Sequence, residues 1–226
     1  MKKVTVLTSA ITSLLLVSPA TFAKTYVGLE LGGGKFSTSM TSQNLDQEAT
    51  DDYSKMVNEM DSAGYIRLQA GQYLNQNVRV YGYVQRDADD KVEFSEFDLD
   101  DGVVEKNDLE RNSYQLGLGA DYMYFLTNDW FVVGGGTLGY YNSKLKLTEF
   151  EDGAQTGSIE SKKSGLSAGL NMGTGYNFTE SFAAEVGLRH TQLFGNEHKL
   201  SSDEGGSITA KFDSSTQFYI NASYSF

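Results

Sequence analysis

The sequence predicts an all-β chain folded as an eight-stranded antiparallel up-and-down transmembrane β-barrel. Three observations carry this. Long segments alternate apolar and polar residues with a period of two, a turn pattern recurs every 52 residues, and the composition is poor in proline and rich in glycine and aromatics. With 24 glycines, 14 tyrosines and 13 phenylalanines, and with Pro19 as the single proline, strands are favoured over helices and none is interrupted by a missing N–H.

The chain begins with "MKKVTVLTSAITSLLLVSPATFA". Lys2 and Lys3 precede an apolar stretch through Leu14 to Val17, and small residues lead to a cut expected after Ala23. Residues 1–23 therefore read as a cleaved secretory leader; Ser and Thr break the run before it reaches the roughly 20 apolar residues a membrane helix requires. Residues 24–226 remain as one barrel domain. Removing Lys2 and Lys3 from 18 basic residues against 30 acidic ones takes the net charge from −12 to −14. So acidic a chain is not expected to bind nucleic acid, and without cysteine it has neither disulfides nor a lipidation site.

The repeat sets the strand order. "YLNQNV", "FLTNDW" and "NFTESF" have their second residues at 74, 126 and 178, so three tight polar turns follow one another at a fixed period. Their flanks give strands at about 62–73, 78–86, 111–126, 130–142, 164–178 and 182–193, with residues 25–36 before and 209–226 after. The strands meet at three short turns on one side. On the other are four long polar connections, about 37–61, 87–110, 143–163 and 194–208, the asymmetry of a membrane barrel with extracellular loops. The connection 87–110 holds eleven acids and two lysines, which suits a solvated loop. A calcium loop at "DLDDG" is excluded because Phe97 and Leu99 would occupy ligand positions; no metal or other cofactor is expected.

Residue size orients the faces. One register carries Leu, Tyr and Phe, and the other carries Gly, Ser, Asn, Gln and scattered charges, so the bulky face is assigned to lipid and the small polar face to a narrow interior. That parity puts Glu30, Arg67, Gln69, Arg79, Asp121, Asn171, Glu185 and Arg189 in the lumen as a polar network, with Glu30 and Arg67 expected to pair. Glycines 117, 119, 169, 173 and 175 share this face and suit either sheet curvature or a narrow solute path. Tyr73, Tyr124, Trp130, Tyr176, Phe178 and Phe182 lie near short turns and read as an interfacial aromatic girdle.

The leader, the eight alternating strands, the turns "FLTND" and "NFTES" and the closing "FYINASYSF" together resemble the OmpA-like family of small outer-membrane β-barrels of Gram-negative bacteria, over essentially the whole mature chain. The resemblance implies localisation to the outer membrane, contact with its lipid and lipopolysaccharide, and a monomer. It also implies handling by the barrel assembly machinery, for which Phe218, Ile220, Tyr224 and Phe226 would be the signal. A peptidoglycan-binding domain and a wall-anchoring role are not expected. Some small barrels of this kind modify lipid A. A lipid A deacylase would have a serine two residues after its histidine, whereas Gln192 follows His190 here, so no catalytic residue is assigned. The functional expectation is a non-enzymatic barrel serving envelope integrity or adhesion through acidic extracellular loops that meet a surface ligand of unidentified chemistry. The alternatives are a narrow porin-like channel and, third, a lipid A-modifying enzyme.

Overall fold

The computed structural model describes residues 24–44, 47–97, 104–201 and 206–226; the expected leader and the acidic residues 98–103 lie outside these. The described elements are β1 (Thr25–Gln43), α1 (Gln47–Glu59), β2 (Tyr65–Tyr73), β3 (Val78–Asp87), β4 (Asp90–Phe97), β5 (Val104–Phe125), β6 (Trp130–Glu151), β7 (Ala154–Asn177), β8 (Phe182–Leu193), β9 (Glu197–Ser201) and β10 (Ser207–Ser225). Eight strands, β1, β2, β3, β5, β6, β7, β8 and β10, pair antiparallel with their neighbours, and β1 pairs with β10 to close the ring. β4 and β9 are additional strands on β5 and β10.

Following paired residues round the ring from Lys35 through Thr216, His190, Leu170, Gly136, Ala120, Val80 and Gln72 leads back to Thr25, ten residues lower on the same strand. Eight strands with this stagger tilt by about 41° and close at a radius of about 8 Å, which side chains can fill.

The period of 52 has a local cause. At each short turn a side-chain oxygen at the same repeat position accepts two backbone N–H bonds: Asn75 from Asn77 and Val78, Thr127 from Asp129 and Trp130, and Thr179 from Ser181 and Phe182. These oxygens satisfy N–H groups that the turn leaves unpaired, which is why Asn or Thr stands at 75, 127 and 179. Beside them, the N–H of Phe226 donates to the carbonyl of Thr25 at 2.9 Å, so the last residue is hydrogen-bonded into the closing seam.

At the other, distal end the structure departs from four polar loops. Residues 143–163 are the continuation of β6 and β7, joined by Asp152–Gly153, both with positive φ (49° and 78°), in a two-residue hairpin. Residues 37–43 extend β1, and α1 follows. At this end only β2, β3, β8 and β10 keep near the expected boundaries. Above β2, β3 and β8 the long strands form two facing groups, β4–β5–β6–β7 and β1–β10–β9, with α1 packed against β1 and β4.

This extension has its own apolar core. Phe36, Leu109, Leu145, Leu147, Leu193, Leu200, Ile208 and Phe212 turn inward and meet Met56, Val57 and Met60 from the helix segment. Tyr53, Met56 and Val57 follow helical spacing, which puts them on one face of α1, and Met60 follows just past its end. A bulge in β10, where Ser37 pairs with Ser214 but Thr38 with Phe212, skips Asp213 and turns Phe212 inward.

Candidate functional site

The lumen brings the sequence-predicted polar residues together, and they are buried. At the level nearer the short turns, Arg79 of β3 crosses the bore. Its guanidinium is bidentate to Glu185 of β8 (Nη2–Oε2 2.8 Å) and also donates to Asp121 (Nε–Oδ2 2.9 Å). Asn171 Nδ2 donates to the other oxygen of Asp121 at 3.1 Å.

A second layer is built on Glu30, but its main partner is not the expected one. Arg189 binds Glu30 through both terminal nitrogens (Nη2–Oε2 3.1 Å), and the Tyr65 hydroxyl donates to it at 2.6 Å. Arg67 lies 3.9 Å from Glu30 and donates instead to Gln85 at 2.9 Å. β1 and β2 are neighbours, yet the short radius lets Arg189 reach Glu30 across β10. Gln69 Nε2 donates to Asn221 at 3.3 Å. Three arginines face three carboxylates in these two layers, so the charge balances. That is the arrangement in which buried ions are least costly.

Aromatic rings occupy the remaining space. Arg67 lies over Tyr83 at 4.2 Å and Arg189 over Tyr219 at 5.0 Å. The lumen glycines accommodate such rings: a Cβ on Gly119 would lie 2.3 Å from Tyr81 Cζ, and one on Gly175 would lie 2.3 Å from Phe131 Cζ. At these positions glycine makes room for an aromatic, a role that neither curvature nor a solute path anticipates.

Arg111 marks the change to the apolar core. It stacks between Phe36 (4.1 Å) and Phe212 (5.1 Å) and donates to the carbonyl of Ser62 at 3.0 Å. Beyond it His198, fully buried, contacts Ser143 Oγ (3.1 Å), Asn196 Oδ1 (3.2 Å) and the carbonyl of Ser161 (3.2 Å). Burial pushes its pKa down to about 4.

On the outer wall, Phe218, Ile220, Tyr224 and Phe226 are exposed along one face of β10. Trp130, Tyr176, Phe178 and Phe182 run edge to edge with ring centroids 5.0–5.7 Å apart, and Tyr124 is exposed beside the same end. Tyr73 departs from the expected girdle. It shares the inward parity of Arg67 and Gln69 and packs on Tyr26 with centroids 5.2 Å apart, inside the mouth. His190 faces outward and pairs with Thr216 Oγ1 at 2.9 Å. Tyr65, Tyr83, Gln85, Arg111 and His198 are lumen residues that the sequence reading did not single out; the strand parity that placed Arg67 also places Tyr65.

The outer face, apolar through Leu29, Leu68, Leu116, Leu138, Leu170 and Ile220, suits hydrocarbon, while the inner face suits a narrow, ion-paired bore. Among solved structures, Neisserial surface protein A is 15% identical with a TM-score of 0.54, covering 90% of this chain and 99% of that one. The outer membrane protein OprG from Pseudomonas aeruginosa is 13% identical with a TM-score of 0.51, covering 91% and 96%. At such identities the likeness is one of fold. No curated protein matches the sequence. The family model described as outer membrane protein beta-barrel domain matches residues 7–226, and with a closed ring of eight strands behind that match, the chain belongs to this family of outer-membrane β-barrel proteins.

Proposed function

We propose that this is a non-conducting, non-enzymatic barrel, secreted by removal of residues 1–23, whose distal extension stands outside the cell and serves envelope integrity or surface interaction. The observation that carries the reading is the double closure of the lumen. Arg79 and Arg189 are tied across the bore to Glu185 and Glu30, and an apolar core with α1 fills the space above them. The extension has strands in place of open loops, which gives a partner a preformed surface. Planar-bilayer recordings of the purified protein test it: no steady single-channel openings are expected, and steady openings abolished by changing Glu30 or Arg67 defeat the reading.

A narrow channel is the second reading. Gln115 Oε1, Ser167 Oγ, Asn171 Oδ1 and Asn221 Nδ2 are buried lumen atoms without a protein hydrogen-bond partner, the kind of site that water occupies. A through path would still have to pass the Arg79–Glu185 pair. Catalysis finds less support: His190 engages Thr216, and Gln192 donates to the carbonyl of Asp213. Lipid A analysed with and without the protein tests that alternative. Phe218, Ile220, Tyr224 and Phe226 are proposed as the assembly signal, so deleting Phe226 is expected to lower the amount of folded protein in the outer membrane, read as heat-modifiable protein on a gel.

A further inference from the structure

Tyr140 of β6 and Leu166 of β7 are the last large apolar residues on the outer wall of those strands before it turns polar at Asn142 and Ser164. Four residues beyond them, Lys144 and Lys162 stand directly opposite each other in the ladder, and both point outward. Four residues on strands tilted as these are rise about 10 Å along the barrel axis, from the hydrocarbon edge to headgroup depth. Like charges placed opposite each other weaken a sheet, so this pairing needs an anion.

One is already there. Glu160 accepts from both lysines, from Lys162 at 2.5 Å, and their ammonium groups hold its pKa down at about 2. Two cations on adjacent strands thus converge on a single carboxylate. Lys146, two residues further on, lies in the ladder between Glu110 of β5 and Glu160 of β7 and forms no ion pair among the described residues. Elsewhere on the outer wall Lys35, Arg86 and Lys211 are each matched by one acid, Asp61, Asp89 and Glu197. With Lys144, Lys146 and Lys162 against Glu160 and the neighbouring Glu110, this patch carries one cation in excess on a chain of net charge −12.

We infer that Lys144 and Lys162, with Lys146 beside them, bind a phosphate of an outer-leaflet phosphorylated glycolipid whose acyl chains lie against the apolar wall beneath. The inference rests on the reading that the distal end faces outside. It is independent of whether the bore conducts. Cationic side chains at this depth attract anionic headgroups by about 1 kcal/mol each, so two lysines are worth about thirty-fold in affinity.

The test uses the full chain in nanodiscs, titrated with diphosphoryl lipid A, with lipid A dephosphorylated chemically, and with inorganic phosphate. The double variant Lys144→Gln/Lys162→Gln is expected to bind diphosphoryl lipid A about thirty-fold more weakly, and the wild type to bind the dephosphorylated lipid with a similar loss. Glu160→Gln removes the competing carboxylate and is expected to tighten binding, whereas Lys35→Gln leaves it unchanged. Unaltered binding by the double variant, or equal affinity for the two lipids, overturns the inference. Displacement of the lipid by equimolar inorganic phosphate overturns the choice of a lipid ligand. Orientation is read separately by labelling Lys162→Cys on whole cells with an impermeant thiol reagent, which a cysteine-free chain makes unambiguous. Labelling without lipid A binding counts against the phosphate site alone.

Discussion

A single strand, β6, belongs to two kinds of protein. From Trp130 to Tyr140 its even residues are apolar or glycine and face outward, while its inner face carries Phe131 and Val133 at the mouth and then the small residues Gly135, Thr137 and Gly139. From Tyr141 the pattern reverses: Tyr141, Leu145 and Leu147 turn inward, and Asn142, Lys144 and Lys146 face out. The sheet does not change; its surroundings do. The hydrophobic effect requires apolar surface to leave water, so where lipid surrounds the barrel that surface can stay outside, and where water surrounds it the surface must form a core. The membrane ring is held by a closed hydrogen-bonded ladder and balanced ion pairs, and the distal extension by ordinary apolar packing.

The sharpest way to break this contrast is to strike the ion pairs. Arg79→Ala leaves Asp121 and Glu185 buried without their cation, and the expected loss is about 4 kcal/mol of folding stability, measured by urea unfolding in lipid vesicles. Replacing all three by Met, Asn and Gln should recover most of it. Leu145→Ala removes a fully buried side chain from the distal core and is expected to cost about 3 kcal/mol locally. Its signature is protease cleavage within α1 while the gel shift between unboiled and boiled ring persists; loss of that shift would mean that the two regions are one cooperative unit.

Acid should act on the extension and spare the ring. His198 has a folded pKa of about 4 against an ordinary 6.5, so between these values the unfolded state binds more protons. Its contribution to stability is complete above pH 6.5 and is lost as pH falls toward 4, the loss having reached about 2 kcal/mol at pH 5. Amide exchange around β9 should therefore quicken at pH 5 in the wild type, and a His198→Gln variant should lack that response.

The ring was legible because lipid imposes a severe rule: every strand must show one greasy face. The extension hid behind its charge. Eleven acids between Asp87 and Glu110 suggested loop, and residues 143–163 were read as a polar connection although Leu145 and Leu147 kept a period of two. In and just after α1, Tyr53, Met56, Val57 and Met60 offered a helical period within a stretch read as a connection. Tyr73 was misplaced because its nearness to a turn was weighed above the parity set by Ile66 and Leu68. Arg189 could not be matched with Glu30 from sequence, since that contact depends on the bore being narrow enough to cross.

The two bidentate clasps span 106 and 159 residues of chain, and both end on β8. Arg79 already has Asp121 beside it on β5, and Glu30 has Arg67 on β2, but each gains its bidentate partner only when this one late strand arrives. A sheet inserted one hairpin at a time would carry these ions into oil with their hydrogen-bonding capacity half used. Closure of the cylinder and completion of its charge network are thus a single event, which makes half-finished barrels short-lived.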